Sequence, residues 1–79
     1  MITVSVNGKT VELQEDATIV DAVASTLERE LTPEGRPADG GRLGVAVSLA
    51  DAVVPRSAWQ STVLAPGAEL ELVTAVQGG

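Results

Sequence analysis

The last residues of the chain carry the one group that the sequence marks out for chemistry. Val76 is followed by Gln77, Gly78 and Gly79, and the last of these bears the α-carboxylate. Glycine has no Cβ, so a Gly-Gly end can enter a channel too narrow for other residues. The sequence has no histidine and no cysteine, which excludes a histidine general base, a cysteine nucleophile and a zinc site built from either residue. We therefore expect no catalytic and no metal-binding residues, and a tail that presents a carboxylate to other enzymes.

The net charge limits the kinds of partner that the protein is expected to bind. Five basic and eleven acidic residues give a net charge of −6, which argues against nucleic acid and anionic membranes and permits a basic partner or simple solubility. The first residues show no charged segment followed by an apolar run, and no stretch approaches the roughly 20 apolar residues of a membrane span. We therefore expect a cytoplasmic protein of one domain.

Alternating residues predict a strand immediately before the tail. Glutamate and leucine alternate from Glu69 to Leu72, and the β-branched residues Val73, Thr74 and Val76 follow. Pro66 and Gly67 occupy the positions that a type II turn prefers. The closing strand is therefore expected to start after this turn and to run into the tail.

A β-hairpin is predicted at the start of the chain. Apolar and polar residues alternate from Ile2 to Val6, which is typical of a half-buried strand. Asn7 and Gly8 follow, and this pair is the strongest short signal for a hairpin turn. The partner strand is expected over residues 10–13.

One helix is predicted over residues 19–30. Asp21 lies three residues after Thr18, where an acidic side chain can complete a capping box and favour the positive end of the helix dipole. Apolar residues recur every four positions from Ile19 to Leu27. This spacing predicts a single apolar stripe.

The rest of the chain predicts a loop and two further strands. Residues 31–42 include two prolines and three glycines, which exclude regular structure. This segment is either a functional loop or a tolerated insertion. The lack of a ligand-like cluster favours the insertion. Strands are expected over residues 43–49, inside the sheet, and 53–54, followed by a helical turn over residues 56–59. Trp59 is expected to be a structural plug whose indole N–H binds a carbonyl.

These elements predict an α+β fold, with one helix on one face of a mixed sheet of four to five strands. Pairing of the first and last strands in the centre of the sheet would anchor the closing strand. We expect residues 1–76 to form this domain and residues 77–79 to form a flexible tail.

A partner-binding patch is predicted beside the tail. Val73 and Ala75 should lie on the face opposite Leu72, since strand residues alternate between faces. If the helix leaves that face open, these residues and Val76 form an apolar patch where partners dock. The alternative is that they complete a second small core under the loop. For Arg56, an internal ion pair or a solvated side chain is expected rather than a partner contact.

Three segments resemble the ThiS family, the sulfur carriers of thiamine biosynthesis, which have a β-grasp (ubiquitin-like) fold. They are residues 4–8, residues 53–59, which resemble the family's Val-Pro-Arg-x-x-Trp signature, and residues 66–79 with their Val-Gln-Gly-Gly end. The chain departs from the family at Ala50 and Asp51, where many members carry an Asn-Gly turn, and at the unusually long loop.

The resemblance implies a protein co-substrate rather than an enzyme. An E1-like adenylyltransferase would use ATP to activate the carboxylate of Gly79, and the chain itself would bind no cofactor. A persulfide on a sulfur-donor protein would then convert Gly79 to a thiocarboxylate. Thiazole synthase would accept the sulfur.

Three alternatives remain open at this point. The small subunit of molybdopterin synthase uses the same tail chemistry with another acceptor. A ubiquitin-like modifier would join Gly79 to lysines of other proteins, and a binding module would not use the tail at all. All of them predict the same fold, so the fold alone does not choose among them.

Overall fold

The computed structural model describes residues 1–33, 35–38, 40 and 44–74. Within these residues the elements are, in chain order, β1 (Ile2–Val6), β2 (Lys9–Leu13), α1 (Ile19–Leu27), β3 (Val45–Leu49), β4 (Ala52–Val54), a 3-10 helix (Arg56–Ala58) and β5 (Glu69–Thr74).

The strands form one sheet in the order β2-β1-β5-β3-β4. β1 and β5 run parallel, and the other neighbours run antiparallel. The predicted mixed sheet is confirmed, including the pairing of the first and last strands and the internal position of β3. This is the β-grasp arrangement that the resemblance implied.

The core lies between the sheet and α1. Val4 and Val6 of β1 are each 1% exposed, and Ile19, Ala22 and Val23 of α1 are completely buried. The strand residues are two apart and the helix residues are three to four apart, which places each set on a single face. The helix therefore covers one face of the sheet and leaves the other open.

Two local predictions from the sequence are confirmed. The backbone N–H of Thr18 donates to Oδ2 of Asp21 at 2.8 Å, where the helix begins. Before β5, Gly67 has a φ of 82°, and the N–H of Ala68 donates to the carbonyl of Ala65 at 3.1 Å. A glycine with positive φ in the third position of the turn is what a type II turn requires.

The helix ends at Leu27, and its predicted extension to residue 30 is wrong. Glu28 has a φ of 53°, in the left-handed region. The N–H of Arg29 then donates back to the carbonyl of Ala24 at 3.1 Å. This bond closes the last turn and directs the chain away from the helix axis.

The strand limits differ slightly from the predicted ones. β2 begins one residue earlier, at Lys9, and β4 one residue earlier, at Ala52. β3 begins at Val45 rather than at residue 43, which lies outside the described residues. Among the described residues, no helix has the length and apolar character needed to cross a membrane.

The segment after α1 packs onto Trp59. This side chain is 1% exposed, and its Nε1–H donates to the carbonyl of Val54 at 3.0 Å, as predicted. A Cβ added at Gly35 would lie 2.8 Å from the indole ring, and Leu31 forms an isolated bridge with Pro37. The loop therefore has a structural role as a cover for the tryptophan, which the sequence did not predict.

Candidate partner-binding site

The closing strand is paired with its two neighbours over different lengths. Its pairing with β3 extends from Leu70 to Thr74, which lies opposite Val45. Its backbone pairing with β1 ends at Leu70, opposite Val6. The carboxyl-terminal part of β5, from which the chain continues toward Gly79, therefore extends beyond β1.

A side chain occupies the place where β1 stops. The N–H of Leu72 donates to Oδ1 of Asn7 at 2.8 Å, and Nδ2 of Asn7 donates to the carbonyl of Leu72 at 3.2 Å. The sequence identified Asn7 only as a turn residue. Its contact with a residue 65 positions away depends on the strand order, so no local pattern could have revealed it.

Val73 lies on the open face of the sheet, as predicted. It is 61% exposed, whereas its neighbour Leu72 is 7% exposed and belongs to the core. This exposure rules out the alternative in which Val73 completes a second small core. The other predicted site residues, Ala75, Val76, Gln77, Gly78 and Gly79, lie outside the described residues.

The strand order adds two apolar residues to this surface. Ala46 lies directly opposite Val73, and Ser48, on the same face of β3, lies opposite Val53. Val53 is 74% exposed. We call Ala46, Val53 and Val73 the open-face patch; the sequence missed its first two members because only the order β5-β3-β4 places Ala46 beside Val73 and Val53 one strand further along the same face.

The charged side chains that the described strands place on the open face are all carboxylates. Glu12 lies opposite Thr3 of β1, which shares this face. Glu71 and Glu69 lie two and four residues before Val73 on the same strand, where side chains alternate between faces. An acidic face with an apolar corner is complementary to a partner surface that combines basic and apolar residues.

Two other features bear on the chemistry. The described residues contain no group of three or more histidine, cysteine, aspartate or glutamate residues placed to hold a metal ion. The guanidinium carbon of Arg56 lies 5.5 Å from the centroid of the Trp59 ring. This is a cation–π contact, and the sequence did not predict it.

The five-stranded mixed sheet with one helix on one face places the chain in the class of β-grasp, ubiquitin-like proteins. A model of the ThiS family matches residues 4–79. Because this match covers nearly the whole chain, the chain belongs to the ThiS family. It is a sulfur carrier, a protein substrate rather than an enzyme, and it interacts with activating and sulfur-transfer partners.

Solved structures that resemble this chain include two of proteins from Geobacter metallireducens. The crystal structure of the thiamine biosynthesis protein (ThiS) from Geobacter metallireducens has 24% sequence identity and a TM-score of 0.63, and the match covers 99% of this chain and 100% of that one. The solution structure of a thiamine biosynthesis protein from Geobacter metallireducens has 25% identity and the same TM-score of 0.63, over 99% of this chain and 88% of that one. Among curated proteins, none matches the chain.

Proposed function

We propose that this protein carries sulfur for thiazole formation in thiamine biosynthesis. The observation that carries the proposal is the ThiS-family match, which extends to Gly79 and so includes the Gly-Gly end. The two similar structures are of thiamine biosynthesis proteins. They support thiazole formation over the molybdopterin alternative, which uses the same kind of tail.

The first chemical step is activation of the Gly79 carboxylate. A carboxylate is a poor electrophile because its negative charge repels nucleophiles. In the proposed step a carboxylate oxygen attacks the α-phosphorus of ATP, pyrophosphate leaves, and an acyl-adenylate forms. An E1-like adenylyltransferase supplies the ATP site, so the carrier needs no bound cofactor.

The second step exchanges AMP for sulfur. The terminal sulfur of a persulfide on a sulfur-donor protein attacks the acyl carbon, AMP leaves, and an acyl disulfide joins the two proteins. A thiol then attacks the donor-side sulfur of this S–S bond. The bond breaks, Gly79 keeps the other sulfur as a thiocarboxylate, and the thiol and the donor cysteine end as a disulfide.

The carrier's own residues bind and deliver rather than catalyse. From Val76 to Gly79 the chain can reach roughly 10 Å, at about 3.4 Å per residue. The side chains of Val73, Ala75 and Val76 are the proposed contacts beside the tail. The exposed Val53 widens this contact surface. Thiazole synthase, the proposed acceptor, must then bind the same domain that the activating enzyme binds.

Intact mass tests the proposal. The purified chain is incubated with its activating enzyme, ATP, a persulfide donor and a thiol, and the carrier should gain the mass of one sulfur minus one oxygen. A control chain that lacks Gly79 should fold and gain nothing. Conjugates to other proteins without this mass gain would favour the protein modifier, and an unchanged mass in the complete mixture would favour the binding module.

The acceptor is tested separately. The thiocarboxylate form should support product formation by thiazole synthase and not by the large subunit of molybdopterin synthase. The reverse result would replace thiazole formation with the molybdopterin alternative while leaving the sulfur-carrier role intact. A chain extended by one tryptophan after Gly79 should support neither reaction, because the added side chain cannot enter a channel fitted to glycine.

The open-face patch has its own test. Val73→Glu should raise the KM of the activating enzyme for the carrier and leave the melting temperature nearly unchanged, because an exposed side chain contributes little to folding. Thr3→Glu is the matched control on the same face, in β1. An equal rise in KM for both variants would show that added charge, rather than loss of the patch, causes the effect.

A further inference from the structure

We propose that Asn7 is a positioning residue for the sulfur-carrier reaction. Its side-chain amide replaces the missing continuation of β1 and fixes the carboxyl-terminal half of β5, from which the chain leads to Gly79. The role in the sulfur-carrier reaction rests on the proposed function. The claim that Asn7 holds β5 rests on its hydrogen bonds to Leu72.

The hydrogen bonds between β1 and β5 show how the side chain of Asn7 takes the place of backbone groups of β1. The N–H of Ser5 donates to the carbonyl of Ala68 at 2.8 Å, and the N–H of Asn7 donates to the carbonyl of Leu70 at 3.0 Å. The next bonds of a parallel pair would need backbone groups of a longer β1, but the chain has turned into the hairpin. The amide of Asn7 supplies one donor and one acceptor to Leu72 instead.

The position of the amide is set by a left-handed backbone. Asn7 has a φ of 52° and Gly8 a φ of 82°, and the turn joins Val6 directly to Lys9 in the strand register. Asparagine tolerates this conformation better than most residues. The paired strands fix the backbone on both sides of Asn7, so its short side chain has few available orientations. The amide is therefore positioned to form hydrogen bonds with Leu72.

The contact matters because of where it lies along β5. Leu72 is two residues before the end of the described strand, and its outward-facing backbone groups would otherwise form an open strand edge. β3 holds the opposite side of the strand up to Thr74. With Asn7 in place, β5 is held on two sides as far as Leu72, so the direction in which the chain leaves the sheet is restricted before a partner binds. Such restriction lowers the ordering cost of binding.

The test uses Asn7→Gly, which allows the left-handed backbone and removes the amide. Hydrogen exchange measured by NMR should show the Leu72 amide exchanging about five to thirty times faster, the range expected when one or two hydrogen bonds are lost. The KM of the activating enzyme for the carrier should rise about three- to tenfold with kcat unchanged, because the chemistry at Gly79 is not altered.

Three further variants separate positioning from stability. Asn7→Asp keeps an acceptor for the Leu72 N–H and loses the donor to its carbonyl, so the Leu72 amide should stay protected while KM still rises. Ala50→Gly places the same residue in the corresponding position of the β3–β4 turn and should change neither Leu72 exchange nor KM. Ile19→Val removes one buried methyl group from α1, which makes no hydrogen bond to Asn7 or Leu72, and should lower the melting temperature without changing KM.

Each outcome decides one part of the inference. Unchanged Leu72 exchange in Asn7→Gly would show that the amide does not hold β5. Faster exchange with an unchanged KM, or an equal rise in KM for Ile19→Val, would reduce Asn7 to a stabilising residue. If the wild-type chain is not adenylated at all, the proposed function fails and the positioning role fails with it, while the exchange result still decides whether the amide holds the strand.

Discussion

Two turns of the same backbone shape lie on either side of the closing strand. The β1–β2 turn has φ values of 52° at Asn7 and 82° at Gly8, and the β3–β4 turn has φ values of 51° at Ala50 and 67° at Asp51. Each joins two antiparallel strands through two residues. All four residues line one groove at this end of the sheet.

The two turns differ in what their residues contribute. Asparagine and glycine are the preferred residues for a turn with two positive φ values, and the amide of Asn7 is also used to bind Leu72. Alanine has neither the conformational freedom of glycine nor a side chain that can bind nearby backbone, so Ala50 carries a conformational cost of roughly 1–2 kcal/mol. The same backbone conformation is therefore unstrained and hydrogen-bonded to Leu72 in the β1–β2 turn, whereas it is strained at Ala50 in the β3–β4 turn.

The largest effect is expected when the first turn receives the residues of the second. The double variant Asn7→Ala, Gly8→Asp loses two hydrogen bonds to Leu72 and places two side chains in the left-handed region. Together these changes should lower the free energy of unfolding by about 3 kcal/mol. Urea denaturation followed by tryptophan fluorescence measures this, since Trp59 is buried in the folded core.

Gly8→Ala is the control for that double variant. No atom lies within 4 Å of a Cβ added at Gly8, so this single change measures the backbone cost alone, at about 1–2 kcal/mol. If the double variant costs no more than Gly8→Ala, the hydrogen bonds of Asn7 add nothing to stability, and the contrast between the two turns disappears.

The same contrast shows how far local sequence patterns predict this protein. The Asn7-Gly8 turn, the cap at Thr18 and the carbonyl partner of Trp59 were predicted because each depends on residues close together in the chain. The structure also bears out the pairing of β1 with β5, which the matching apolar patterns suggested.

What the sequence did not predict depends on strand order or on an unfavourable conformation. Val53 and Val73 share one face of the sheet only because their two strands flank β3. The helix ends at Leu27 because Glu28 adopts a left-handed conformation that favours glycine, and a glutamate gives no signal of such an end. Ala50 gives no turn signal of its own, so the sequence predicted a break between the strands over residues 43–49 and 53–54 and not the positive φ of Ala50 and Asp51.

A gain in stability is expected when the second turn receives the residues of the first. The double variant Ala50→Asn, Asp51→Gly should raise the free energy of unfolding by about 1–2 kcal/mol, because both residues then suit positive φ. For a domain of this size the melting temperature should rise by roughly 5–10 °C. Thermal unfolding by circular dichroism measures the shift.

The gain should leave the Leu72 contact unchanged. The amide introduced at Ala50 lies in the turn on the β3 side of β5, where the N–H of residue 50 already donates to the carbonyl of Glu69 at 3.2 Å. Hydrogen exchange at Leu72 should therefore match that of the wild type. A melting temperature at or below the wild-type value would show that the alanine turn is not strained.

The smallest effects are expected from single substitutions that place asparagine at each of the two turn positions separately. Ala50→Asn should stabilise the protein by about 0.5–1 kcal/mol, whereas Asp51→Asn should change stability by less than about 0.5 kcal/mol, because aspartate and asparagine both tolerate the left-handed region. Chemical denaturation of both variants at one pH provides the comparison. An equal gain from the two substitutions would point to the removal of negative charge at Asp51 as a second contribution, since that side chain lines the same groove as Glu69 and Glu71. High salt screens exposed charges. Repeating the measurement at high salt would then separate the effect of charge from that of backbone strain.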